Sequence, residues 1–179
     1  KKQTELEEAL EAKTERWFYL NELADDLDTV DTVIKTGNVM ADAILNSKLN
    51  VAEKMNIKLN VKANVPDKLP MSDVELCSML GNILDNAIEA AQIPDKDRYI
   101  KLDIKYKSGA MFITLKNSYD GRINAKNGVL KTIKSNKIEH GIGLNSVQEV
   151  VQKYNGEVEM EYDDREFCIM IVLYMNNYC

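Results

Sequence analysis

Leu80-Gly81-Asn82-Ile83-Leu84-Asp85-Asn86-Ala87-Ile88-Glu89-Ala90-Ala91 is the stretch on which the reading of this sequence turns. Ser72-Asp73-Val74-Glu75 ahead of it has the pattern of a capping box, Ser72 as N-cap and Glu75 as its partner three residues on. Pro94 stops the pattern, so a helix is predicted from Ser72 to about Gln92. Residues three and four apart share a helical face. Asn82, Asn86 and Glu89 therefore stack on one stripe with Asp85 beside it, while Leu76, Met79, Leu80, Ile83, Ala87 and Ala90 occupy the neighbouring face. Leu84 and Ile88 flank the stripe on its other side, which makes the polar band narrow. Two readings stand open on periodicity alone. The band is the solvent side of an amphipathic helix, or it faces a polar ligand, because buried polar groups need partners. The side chains bear on the second reading. An amide oxygen can serve Mg2+ as one hard ligand, but it cannot act as a general base.

Working outward, the sequence is that of an ordinary globular protein. Its 179 residues suit one sizeable domain with an appendage, and 45% hydrophobic against 29% charged residues leaves enough apolar material for a core. A net charge of -6 argues against nucleic acid as the main partner, since neutralising phosphates needs clustered Lys and Arg. Cys77, Cys168 and Cys179 lack metal-ligand spacing. Cys77 falls in a helix pattern and Cys168 in a strand pattern, so both are expected to be small buried hydrophobes in a reducing compartment. No apolar run approaches the length of a membrane span. The chain begins Lys1-Lys2 rather than with Met, and is expected to be cut from a longer protein with an upstream membrane or sensor part.

Residues 1 to about 36 contain no Gly or Pro, and Leu20, Leu23, Leu27, Val30 and Ile34 follow 3-4-3-4 spacing. A long helix is predicted, serving either as a surface helix or as a dimer helix, with Gly37-Asn38 as its C-terminal stop. A second helix follows from about Met40 to Met55. Ile57 to Ala63 alternates as a strand, and Tyr99 to Tyr106 and Met111 to Asn117 form two strands around Ser108-Gly109. Residues 118 to 140 read as a polar loop of lid composition, with a hairpin-type turn at Asn127-Gly128. Gly141-Ile142-Gly143-Leu144 opens a helix to about Tyr154, closed by Asn155-Gly156. Strands Glu157 to Tyr162 and Glu166 to Tyr174 turn at Asp163-Asp164. This order predicts an α+β fold, a two-layer α/β sandwich with a mixed, mainly antiparallel sheet, one face covered by helices. The division expected is a helical segment 1–36 followed by a domain 37–179.

Glycines ahead of a helix let backbone N–H groups approach phosphates, and the helix N-terminus adds favourable partial charge. A lone GxG is weak as a motif, and the Lys-Ser/Thr of a P-loop is missing after it. His140, the only histidine, reads either as a phosphate contact or, preferably, as a polar residue at a lid hinge. One His without a suitably placed Cys argues against a zinc site or a Ser-His or Cys-His pair.

These pieces, in order, resemble a known family. An Asn-x-x-x-Asn-Ala-x-x-Ala helix, a strand ending in a polar residue, a lid and GxGL before a helix are similar to the GHKL (Bergerat) ATP-binding fold of gyrase-type ATPases, Hsp90 chaperones and sensor histidine kinases. Ile34-Lys35-Thr36-Gly37-Asn38, Asp42-Ala43-Ile44-Leu45-Asn46-Ser47-Lys48-Leu49 and His140-Gly141-Ile142-Gly143-Leu144 look most like histidine kinases of the peptide-pheromone, Agr-like class. The resemblance covers residues 20 to 175. It implies ATP and Mg2+ as cofactors, with Asn86 as the Mg2+ residue and Asn82 one turn earlier, where the ATPase branch carries a water-activating Glu. It places Asn117 near adenine and His140, Gly141, Ile142, Gly143 and Leu144 at the phosphates, with Asp85 and Glu89 at the edge of the site. The run Asn117-Ser118-Tyr119-Asp120-Gly121 departs from the family's DxGxG by lacking its Asp and first Gly. Residues 1–36 lack the phosphoacceptor His and look like the second helix of a dimerising hairpin.

The expectation that results is the catalytic domain of a two-component histidine kinase, the cytoplasmic portion of a membrane-bound bacterial receptor. It would be a homodimer through its N-terminal helix, pass a phosphoryl group to a histidine outside this chain, and serve a response regulator. A dimerising pseudokinase and a GHKL serine kinase are the alternatives.

Overall fold

The structure, a computed structural model, describes residues 33–120, 133–134 and 142–175. Three helices and six strands follow one another as α1 (Val39–Lys54), β1 (Lys58–Ala63), α2 (Asp73–Gln92), β2 (Tyr99–Lys107), β3 (Ala110–Ser118), β4 (Ile133–Lys134), α3 (Ile142–Lys153), β5 (Glu157–Tyr162) and β6 (Glu166–Tyr174). The strands form one sheet in the order β1-β2-β3-β6-β5-β4. β1 runs parallel to β2 and every other neighbouring pair is antiparallel. The mixed sheet expected from the hairpin spacing is therefore present, with a two-residue strand, β4, inside the stretch read as loop.

The period-2 pattern of the strands sorts the sheet into two faces. Ile100, Leu102 and Ile104 of β2, Met111, Ile113 and Leu115 of β3, and Ile169, Ile171 and Leu173 of β6 are all buried against the helix layer. α2 lies at the centre of that layer, in contact with α1, α3, β2 and β3. It buries Leu76, Met79, Leu80, Ile83, Leu84 and Ile88. At about 2 kcal/mol for each large apolar side chain removed from water, these residues alone favour the docked helix by roughly 12 kcal/mol before conformational entropy is set against them. Cys77 and Cys168 are buried and not joined in a disulfide.

The turns behave as their residues require. Ser108 and Gly109 both adopt positive φ, 53° and 72°, the left-handed pair of a two-residue hairpin. At Gly156 the constraint is space: a Cβ there would lie 2.2 Å from the Val172 carbonyl oxygen, where β6 passes behind the end of α3.

The N-terminal approach differs from the sequence reading. Residues 33–36 are not helical, and Asn38 starts α1 instead of stopping the segment before it. The Asn38 side chain accepts from the Met40 and Ala41 N–H groups at 3.1 and 3.0 Å. Its amide nitrogen donates to the Pro66 and Asp67 carbonyls. Asn46 takes both backbone groups of Ile34: the Ile34 N–H donates to Asn46 Oδ1 at 2.7 Å, and Asn46 Nδ2 donates to the Ile34 carbonyl at 2.9 Å. Asp42 Oδ1 accepts from the Thr36 N–H at 2.7 Å and from its hydroxyl at 2.6 Å. Side chains of α1 thus supply the partners a helix would have supplied, and the non-helical form wins. Ile34 packs against the domain core rather than in a heptad seam. Residues 1–32, with the rest of that seam, and the turn at Asn127-Gly128 lie outside the described residues.

Asn46→Ala orphans two partly buried backbone groups and is expected to lower the unfolding free energy by about 2 kcal/mol in a urea titration. Gly156→Ala is expected to cost 1–3 kcal/mol or more by forcing α3 and β6 apart, seen as a lowered urea midpoint with unchanged slope.

Candidate functional site

The capping box predicted at the head of α2 is formed. The Glu75 N–H donates to Ser72 Oγ at 3.2 Å, and the Ser72 N–H donates to Glu75 Oε2 at 3.1 Å. Glu75 has a second task. Lys153 Nζ at the end of α3 donates to Glu75 Oε1, and the Tyr154 hydroxyl donates to Glu75 Oε2 at 2.9 Å. Burial pushes the Glu75 carboxyl up, but Lys153, the Ser72 backbone and the Tyr154 and Ser72 hydroxyls together outweigh it and hold the pKa at about 2.

That contact fixes how α2 and α3 lie together. The first turn of α2 meets the last turn of α3, so the helices run antiparallel. Asn86 lies eleven residues after Glu75 (86 − 75), and Ile142 eleven residues before Lys153 (153 − 142). Both spans are about 16 Å of helix. The beginning of α3, with Ile142, Gly143 and Leu144 in its first turn, is therefore level with Asn86.

Around α2, at 100° per residue, Asn86 lies about 40° to one side of Asn82, with Glu89 about 20° and Asp85 about 60° to the other. Asn82 is half-buried, and Asp85, Asn86 and Glu89 are exposed. Met79 and Ile83 on one flank and Leu84 and Ile88 on the other are buried, at 0–5% exposure. The band is thus as narrow as the sequence indicated. Among the described residues, however, it forms an open surface rather than the wall of an enclosed cavity. A cleft of about 270 Å³ does exist between the helices, but at the opposite end, lined by Val74, Glu75, Ser78, Ser146, Glu149 and Lys153, and it does not include the stripe.

Asp85 is held from α1, where Lys48 Nζ lies 2.7 Å from its Oδ1. The Lys48 side chain is only 12% exposed. Sequence reasoning gave Lys48 no role, because its partner lies on a different helix. Asn117 sits at the end of β3 on the helix-facing side of the sheet, 1% exposed, with Nδ2 donating to the Ser118 carbonyl at 2.9 Å. A 1%-exposed amide at that place can meet a ligand only from the helix layer. His140 and Gly141 lie outside the described residues, as do the side chains of Ile142 and Leu144. The structure therefore brings Asn82, Asp85, Asn86 and Glu89 together on one face and sets the start of α3 beside them. Asn117 belongs to the sheet layer beneath.

Among the described residues no three His, Cys, Asp or Glu side chains gather where they could hold a metal by themselves. None of the described helices is long and apolar enough to cross a membrane.

A two-layer α+β sandwich with a polar stripe on its central helix is the class that this arrangement defines. Residues 71–174 match the GHKL domain family, and the chain belongs to it. It is 27% identical over 158 residues to the sensor histidine kinase NatK of Bacillus subtilis, covering 84% of this chain and 49% of NatK. The chain thus spans about half the length of that relative. Among solved structures, it is similar to the catalytic domain of the histidine kinase ThkA in nucleotide-free form, with a TM-score of 0.58 at 16% identity over 76% of this chain and 91% of that one. It is also similar to the histidine kinase domain of the blue-light activated kinase EL346 of Erythrobacter litoralis, with a TM-score of 0.56 at 15% identity over 92% and 73% of the two chains. The histidine kinase AdeS of Acinetobacter baumannii gives 0.55 at 13% identity over 95% and 80%. The fold is that of histidine kinase catalytic domains.

The depressed Glu75 pKa has a definite pH signature. Its contribution to stability is complete above the ordinary value of 4.5 and is lost as pH falls from there through about 2. Glu75→Gln is expected to remove that component, so that unfolding free energy followed between pH 5 and pH 2 falls less steeply in the variant than in the parent.

Proposed function

We propose that this chain binds Mg-ATP on the exposed stripe of α2 and transfers the γ-phosphoryl group to a histidine side chain outside it. The observation that carries this reading is the alignment of Asn82 and Asn86 with the start of α3. On this reading the two amides and the N-terminus of a twelve-residue helix would serve one ligand, the helix end offering N–H groups and partial positive charge suited to phosphate. The donor set fits the metal: Asn86 is exposed and supplies one hard oxygen, and the remaining ligands would come from the nucleotide phosphates and water. Bound Mg2+ would neutralise phosphate charge as the phosphoryl group leaves.

The roles then follow from chemistry. Asn86 would orient the triphosphate, and Asn82, half-buried one turn earlier, would hydrogen-bond at the same place. An amide does not take a proton from water at neutral pH, so Asn82 supports transfer to a protein acceptor over hydrolysis. Asp85 is paired with Lys48 and would stand at the rim with Glu89. Asn117 would face adenine from the sheet, and Gly141, Gly143 and His140 would lie at the phosphates. The relative's length and the expected hairpin helix support a larger receptor, membrane-bound and homodimeric through residues 1–36, acting on a response regulator. The motifs at Ile34–Asn38 and Asp42–Leu49 support a peptide-pheromone receptor.

One feature favours a second reading, a dimerising pseudokinase. Asn117-Ser118-Tyr119-Asp120-Gly121 stands where the family carries DxGxG, and an amide replaces the carboxylate expected at adenine.

Titration with ATP separates the two. The kinase reading expects binding below millimolar concentration that strengthens with Mg2+, and Asn86→Ala is expected to weaken the Mg2+-dependent part at least tenfold while leaving the fold intact by circular dichroism. Absence of binding at millimolar ATP, or an Asn86→Ala variant that binds as the parent does, would sink it.

A further inference from the structure

The second face of the sheet carries a pattern that nucleotide binding does not use. On β3 and β6, side chains pointing away from the helices are apolar at the centre: Phe112 lies directly across from Val172, Thr114 from Met170 and Ala110 from Tyr174. Phe112 and Tyr174 are 42% and 45% exposed. A solvent-facing strand normally alternates with polar residues at these positions, so an apolar strip along two central strands calls for a cover.

The charges around the strip are segregated among the described residues except at β4, where Lys134 stands across from Glu159. β1 and β2 carry Lys58, Lys62, Lys101 and Lys105 on this face. On the other side of the strip, β5 carries Glu157, Glu159 and Glu161. Two acidic groups that interrupt the scheme are partly neutralised within the chain: Asp103 pairs with Lys105 at 3.0 Å, and Glu166 with Lys116 at 3.1 Å and with the Tyr99 hydroxyl at 2.5 Å.

We infer that this face docks against the same face of a second copy of the chain, the two related by a two-fold axis parallel to the strands between β3 and β6. That axis maps the strand order β1-β2-β3-β6-β5-β4 onto its own reverse. β3 then lies over β6 of the second copy, apolar strip on apolar strip, and β2 lies over β5, with Lys101 level with Glu161 and Lys105 level with Glu157; between them Asp103, paired with Lys105, is level with Glu159, and at the edges Lys62 is level with Lys134. Lys105 and Glu157 are at the same level along the strands, because Phe112 and Val172 link them in register. An axis across the strands would instead set β2 on β2 and lysine on lysine. Charge complementarity therefore selects one symmetric arrangement, an isologous interface of packed sheets about 10 Å apart. Its size is consistent with a real but weak association. Four strands about 4.8 Å apart and nine residues of about 3.3 Å cover roughly 600 Å² per copy, which is about 1,200 Å² in total and the lower edge of specific interfaces.

The test uses the complete 179-residue chain. Within one copy, Lys105 and Glu157 are separated by three inter-strand steps, about 14 Å, beyond a zero-length carbodiimide bond. A Lys105–Glu157 isopeptide is therefore intermolecular, and mixed ¹⁴N/¹⁵N chains would show hybrid peptides. The expected result is that cross-link, with sedimentation velocity showing self-association that Phe112→Asp weakens at least tenfold. Lys105→Glu and Glu157→Lys should each weaken it at least threefold, and the double exchange should restore it. Circular dichroism melts confirm that each variant folds. The exchange keeps the proposal separable from dimerisation through residues 1–36, which it does not touch. No hybrid cross-link at several hundred micromolar, or exchanges that fail to compensate, overturns the proposal.

Discussion

Everything at the candidate site depends on α2 being wedged between two other helices while resting on the sheet. Three sides of that helix are in contact with protein, so its surface can be polar only along the remaining arc. The close-packed flanks allow no slack. A rotation of α2 by one residue would carry Asn82 or Asn86 into the flank held by Met79 and Ile83, or expose Leu84 or Ile88. Burial of either amide without a partner costs more than a solvated surface gains. The apolar residues of α2 therefore do more than stabilise: they fix which way the amides point, to within a fraction of a turn.

Rotation is one coordinate, and sliding along the axis is the other. The Glu75 carboxylate settles it. Ser72 N–H and hydroxyl, Lys153 and Tyr154 all converge on its two oxygens, so the head of α2 and the foot of α3 share one anchor. Several contacts converging on one half-buried carboxylate hold it more firmly than a single surface pair does. The same anchor that caps α2 sets the start of α3 level with Asn86. A local capping motif thereby acquires a consequence one helix-length away.

These facts explain what could be read from the sequence. The α2 stripe, its two flanks, the capping box and the strands were legible because each is a periodic or local pattern within one element. Glu157–Tyr162 and Glu166–Tyr174 were delimited by alternation and turn residues alone. The non-helical run at residues 33–36 was not legible. Ile34 fits a heptad on its own side of the chain, and only Asn46, twelve residues away in another element, supplies the backbone partners that make a non-helical path cheaper than a helix. Lys48 was missed for the same reason, since the carboxylate that it meets lies on α2. A polar residue on a helix facing its neighbour, such as Asn46 or Lys48 among Ile44, Leu45 and Leu49, is the available signal. It shows that a partner exists without naming it.

The chemistry of the stripe limits what the fold can do there. A carboxylate at position 82 would add a base beside phosphates, and water is always at hand. On the proposed reading an amide would keep the hydrogen-bonding geometry while withdrawing the base, and so lower the competing loss of a phosphoryl group to solvent. Negative charge is retained only at Asp85 and Glu89, and Asp85 is compensated by a cation drawn from α1. Two uncompensated carboxylates next to a triphosphate would repel it even at a solvated surface. On the proposed reading Lys48 extends the site's electrostatics onto a third helix: α2 would present the amides, α3 its N-terminus, and α1 the charge that lets Asp85 stand beside a nucleotide.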